Sequence, residues 1–124
     1  MVEGALTIGA VVFFICGIID FGRLLFSYNS LAFAVQQSAR YAAVHGSSSK
    51  NPANTAKLDA IVKATMFGVP PSSLSTTVTW TPNTDPGAKV TVQATCTFTP
   101  MVAVFTLIAN PMTLKSTVTL TMLN

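Results

Sequence analysis

The chain has 124 residues, half of them hydrophobic and only 9% charged, which leaves room for one small domain with at most an appendage. So apolar a composition excludes disorder, and so few charges argue against an ordinary cytosolic enzyme, whose surface needs them to stay soluble. The net charge of +3 comes from scattered bases and scarce acids, not from the clustered basic footprint that nucleic-acid binding requires.

Residues 4–19, GALTIGAVVFFICGII, carry no charge. As a helix this run spans roughly 24 Å, just short of a bilayer crossing of about 20 apolar residues, and apolar sequence resumes beyond Asp20 and Arg23. An acid, Glu3, precedes the run where a signal peptide would place positive charge, so the segment reads as a retained anchor. From Leu24 the pattern turns amphipathic: Leu24, Tyr28, Leu31, Val35, Ser38 and Ala42 alternate at spacings of four and three, one stripe of a helix. No proline interrupts residues 2–45, and His45-Gly46-Ser47 supplies a stop. One helix of about 40 residues follows, on the order of 60 Å long, apolar all round in its first half and one-sided in its second.

The polar loop 46–54 leads to a second helix, expected over 52–67 with Asn51 as its cap and Pro52 at its first position. Leu58, Ile61, Val62, Thr65 and Met66 form its apolar face, Asp59 and Lys63 pair on the other, and Gly68 with Pro70-Pro71 ends it. After Ser72 the period becomes two. Val78 and Trp80, then Val90 to Phe98, then Leu114 to Met122 alternate with threonine-rich positions, giving three half-buried strands. PNTDPG (82–87) joins the first two as an antiparallel pair. The connector 100–111 is too apolar for a solvated loop and reads as an apolar loop or short helix packed on something, an interface signal.

Three strands alone are marginal, so the sheet needs the amphipathic half of the long helix and the short helix as cover. The expected fold is α+β: residues 1–23 an apolar anchor or polymerisation half-helix, and 24–124 a compact head made of 24–45, 52–67 and a sheet over 76–124.

Catalysis is poorly provided for. His45, the only histidine, falls at a helix end, and a hydrolase would have to rest on it. The acids Glu3, Asp20, Asp59 and Asp85 are far apart, no glycine-rich phosphate loop follows a strand, and no metal-ligand spacing occurs. Cys16 and Cys96 read as packing residues. Neither an enzyme, a cofactor nor a metal is expected.

The informative charges are those in apolar surroundings, where an unpaired charge is expensive. Asp20 and Arg23, three apart, can pair along the helix, sit at a membrane boundary or pair between chains. Glu3 has no partner near it in the chain; it stays at an aqueous boundary or meets a cation from another copy. Ala5-x3-Gly9 and the further glycines permit close helix approach. Ala5, Gly9, Phe13, Phe14 and Gly17 are the expected helix-core packing residues, and Glu3, Asp20 and Arg23 the expected docking residues.

Val2-Glu3-Gly4-Ala5-Leu6, followed by GIIDFGRLLFSYNSLAFAVQQSARYAAV (17–44), resembles the N-terminal signature of TadE-like pseudopilins, of the tight-adherence branch of the type IV filament superfamily. Phe98-Thr99-Pro100, the apolar connector and the strand Leu114–Met122 are similar to that family's C-terminal pattern. The resemblance implies a type IV pilin-like fold, a precursor cut by a prepilin peptidase, an inner-membrane subunit, and assembly machinery that builds a homo-oligomeric helical filament at the cell surface, with other pilins as further partners. It also implies that Glu3 neutralises a neighbouring subunit's terminal amine. The family commonly places this glutamate fifth after the cut; here it stands third, so either the cut differs or residues precede Met1. The expected function is a structural pilus subunit. The alternative is a monomeric, membrane-tethered surface or minor assembly protein whose head binds a partner.

Overall fold

The computed structural model of the chain describes residues 1–102, 107 and 111–123. Two helices, α1 (Val2–Val44) and α2 (Thr55–Thr65), precede a three-residue 3-10 turn (Pro71–Ser73) and three strands, β1 (Leu74–Thr81), β2 (Lys89–Phe98) and β3 (Met112–Thr121). The expected α+β, pilin-like arrangement is present: a long apolar helix, a short helix and an antiparallel sheet.

α1 is continuous over 43 residues, about 65 Å of rod. Without proline, nothing in the sequence removes a backbone donor along its length. It ends at His45, whose backbone N–H returns to the Tyr41 carbonyl at 3.0 Å. The His45 Nδ1 lies 3.0 Å from the same oxygen, and the imidazole stacks on the Tyr41 ring with centroids 4.0 Å apart. Gly46 does not take the left-handed conformation that the glycine stop implied; the positive-φ glycines are Gly68 and Gly87. The histidine ends the helix instead, and later segments satisfy the carbonyls its last turn leaves open. Leu123 N–H donates to Ala43 O and Ala53 N–H to His45 O, each at 2.8 Å.

That last bond also moves the start of α2. Asn51 and Pro52 were expected to open the helix, but the Ala53 N–H is tied back to the His45 carbonyl at the end of α1. The cap falls to Asn54, whose Oδ1 accepts from Lys57 N at 2.8 Å. Asn51 accepts from the Lys57 ammonium instead. The expected apolar face is otherwise in place, with Leu58, Val62 and Met66 buried. Beyond α2 the chain turns at Gly68, where φ is +80° and an added Cβ would stand 3.3 Å from the Phe26 ring; conformation and space both call for glycine there.

The sheet is a meander of order β1-β2-β3. Its register aligns Val78, Val92 and Val118 on one face, with Trp80, Val90 and Leu120 beside them. Thr79, Thr91 and Thr119 form a row on the other face, where the Thr91 and Thr119 hydroxyls lie 2.9 Å apart. The central strand buries Val90, Val92, Ala94, Cys96 and Phe98. α1 crosses β2 and β3 while α2 covers β1, so the core joins Leu31, Val35, Ala39 and Ala42 of α1 to Leu58 and Val62 of α2 and to the inner face of β2. Ser38, buried in this layer, donates to the Leu58 carbonyl at 3.2 Å. The head therefore covers α1 over less of its length than the periodicity suggested: Tyr28 is exposed and Leu24 only half-buried. The connector 100–111, apart from its first three residues, Leu107 and Pro111, lies outside the described residues.

Candidate functional site

The first half of α1 projects past the head. An 18-residue window of this helix has a mean hydropathy of 2.3 and none of it is buried. Leu6, Phe14 and Ile18 are 77%, 72% and 69% exposed, values that water tolerates for single residues but not for a contiguous surface. By length and composition the helix can cross a membrane. Ala5 and Gly9 lie on this bare segment with Glu3, Phe13 and Phe14. A Cβ built on Gly4, Gly9 or Gly22 would meet nothing within 4 Å. Each glycine costs about 1 kcal/mol relative to alanine inside a helix, and among the described residues no packing offsets that cost at these three positions.

Asp20 marks the junction of the bare and packed halves. It is buried although flanked by exposed residues, because the head reaches back to it. Met101 N–H donates to both its oxygens, at 3.2 and 3.1 Å, and Val102 N–H donates to Oδ2 at 2.9 Å. Arg23, one turn on, donates to Oδ1 at 3.2 Å. Two successive backbone N–H groups and one guanidinium thus cradle the carboxylate, a small concave anion site in the sense that backbone nests provide. The Arg23 guanidinium also stands 5.5 Å from the centre of the Phe98 ring, within cation–π range. Sequence reasoning placed Asp20 and Arg23 together but missed Met101 and Val102.

Two grooves flank this junction. One of about 440 Å³ is walled by Phe13, Phe14, Gly17, Phe21 and Leu24 of α1 and by Phe98, Pro100 and Met112 of the head, among other residues. The other, of about 420 Å³, runs between α1 and the turn after α2 and is lined by Ile19, Gly22, Arg23, Phe26, Ser27 and Gly68. The first is apolar apart from Asp20, whose oxygens are already engaged. The second has a cation in its wall.

The remaining polar groups are committed to the fold. Lys63 Nζ lies 2.6 Å from Asp59 Oδ2 and holds that carboxyl below the usual range. Asp85 accepts from Ser47 Oγ at 3.1 Å and from the Asn83 side-chain amide in the β1–β2 loop. Both cysteines are free thiols; burial pushes the Cys96 thiol up and keeps it protonated. Among the described residues no group of three histidine, cysteine or acidic side chains is placed to hold a metal. Glu3 is exposed on the first turn, and its side chain makes no ion pair or hydrogen bond among the described residues.

A family model described as TadE-like protein matches residues 1–40, in agreement with the resemblance read from the residues. The matched stretch carries Glu3, Asp20, Arg23 and nearly all of α1, and none of the sheet. No curated protein and no solved structure matches the chain.

Proposed function

From the TadE-like match over residues 1–40, we propose that this chain is a structural, non-enzymatic subunit of an extracellular Tad-type pilus, assembled by packing α1 helices in the filament core. The family name supports a pilus-associated role, and the bare apolar helix supports membrane anchoring before assembly. In the bilayer, lipid covers the exposed half of α1; in the filament, neighbouring helices take the place of lipid. Burying such a rod removes apolar surface at about 25 cal/mol per Å², enough to hold a polymer without covalent links. The threonine-rich outer face of the sheet then forms part of the polar exterior. A prepilin peptidase and the pilus assembly machinery would act on the chain before it enters the polymer, and other pilins can share the lattice.

One observation carries this reading: an unbroken helix with an apolar first half in which no described residue before Asp20 is buried. Electron microscopy of material sheared from cells expressing the chain tests it. Filaments that label with antibody to the head are expected. Label confined to the membrane, with the chain monomeric, overturns the polymer reading in favour of a tethered surface protein.

A further inference from the structure

On the reading that copies of this chain assemble through α1, the positions of its charges specify how. We propose that Glu3 of one copy pairs with Arg23 of a second copy in the groove formed by Ile19, Gly22, Phe26 and Gly68, with the two helices parallel and staggered by twenty residues.

Glu3 is the only acid in the first nineteen residues and has no side-chain partner among the described residues. A carboxylate at the tip of an apolar rod needs a cation when that tip is removed from water. Arg23 is the only basic residue before Arg40. Its side chain is 42% exposed, and one guanidinium nitrogen serves Asp20 out of five N–H donors. Asp20 does not exhaust that cation, because Met101 and Val102 supply three further bonds to its oxygens. The guanidinium therefore keeps donors for a second carboxylate, in the fork geometry that carboxylates accept.

The groove suits the rest of the tip. Ile19 and Phe26 are exposed on its walls, and Gly22 leaves its floor open, with nothing within 4 Å of where a Cβ would stand. One turn beyond Glu3, Leu6 faces the same side of α1. A stagger of twenty residues, about 30 Å, puts Leu6 opposite Phe26 while Glu3 meets Arg23. Copies inserted in one bilayer share an orientation, which selects the parallel arrangement.

Twenty residues are about five and a half helical turns. Glu3 and Arg23 of a single copy consequently project to nearly opposite sides of the rod. The contact is heterologous: each copy offers its tip to one neighbour and its groove to another. Such a contact generates an open helical array and not a closed dimer.

The test uses the full chain with Cys16→Ser, reconstituted in lipid vesicles at self-associating concentration. A Leu6→Cys copy is mixed with a Phe26→Cys copy and oxidised. The mixed disulfide is expected to exceed either homodimer several-fold, to fall several-fold with Glu3→Gln or Arg23→Gln, and to return with Arg23→Lys. Trp80 fluorescence and the thermal midpoint check that the head is folded in every variant. Homodimers in place of the mixed species, or a mixed species indifferent to Glu3 and Arg23, overturn the pairing while leaving assembly intact. A chain that does not self-associate at all overturns assembly as well.

Discussion

The two halves of α1 are one rod in two environments. From Ser27 onward the helix gives Leu31, Ala34, Val35, Ser38, Ala39 and Ala42 to a core completed by α2 and β2. Before Asp20 no described residue of the helix is buried, yet it is the more apolar half. The comparison teaches that hydrophobicity alone does not say what a residue is for. In the packed half, small residues such as Ala34, Ala39 and Ala42 let sheet and helix approach; in the bare half, a Cβ added at Gly4 or Gly9 would meet nothing within 4 Å.

The sharpest way to break this comparison is to truncate one large residue in each half. Leu31→Ala is expected to destabilise the head by about 2–5 kcal/mol, the range for emptying a packed leucine site. Phe14→Ala is expected to leave head stability unchanged within about 0.5 kcal/mol while weakening self-association. Chemical denaturation followed by Trp80 fluorescence reads the first effect and sedimentation in detergent the second. Equal destabilisation by both variants would mean that the projecting half belongs to the folded core.

The junction offers the next test. Asp20→Ala removes the acceptor for two backbone N–H groups and separates the connector's start from α1. Amide exchange at Met101 and Val102 is expected to accelerate, with exchange in β2 unchanged. The α2 start gives a smaller effect: Asn54→Ala is expected to cost about 1 kcal/mol as a lost helix cap. Asn51→Ala, which removes only an exposed acceptor of Lys57, is expected to cost less.

The smallest effect is electrostatic. Because Lys63 lowers the folded-state titration of Asp59 beneath its ordinary 3.8, the pair stabilises the head above that value. The contribution is lost as pH falls through the lower folded-state pKa. The pair is partly exposed, so tenths of a kcal/mol are expected. Melting curves of Asp59→Asn between pH 2.5 and 7 should converge with those of the parent at the acid end and lie slightly below them at neutral pH.

Much of this architecture is legible in the residues. The absence of proline through residue 45 foretells the long helix, and the period of two after Ser72 foretells three strands whose valines and threonines separate onto opposite faces. The α2 start is ambiguous because Asn51-Pro52 and Asn54 both carry cap chemistry; a hydrogen bond between Ala53 and His45 decides between them, and no local pattern encodes it. Asp20 is the clearest gap. A buried charge flags it as paired, and the three-residue spacing identifies Arg23. Its other partners are backbone N–H groups 81 and 82 positions away, which have no side-chain signature to read. The bare half of α1 is legible as an apolar helix from its uncharged run alone.

The central claim is that copies of the same chain cover this half-helix. Its most direct test compares the reactivity of a cysteine at Phe14 with one at Thr79, on the open face of the sheet, in assembled material freed of lipid and detergent. Protection of Phe14→Cys with free reactivity of Thr79→Cys is the predicted result. Equal reactivity at both positions in such material would contradict it.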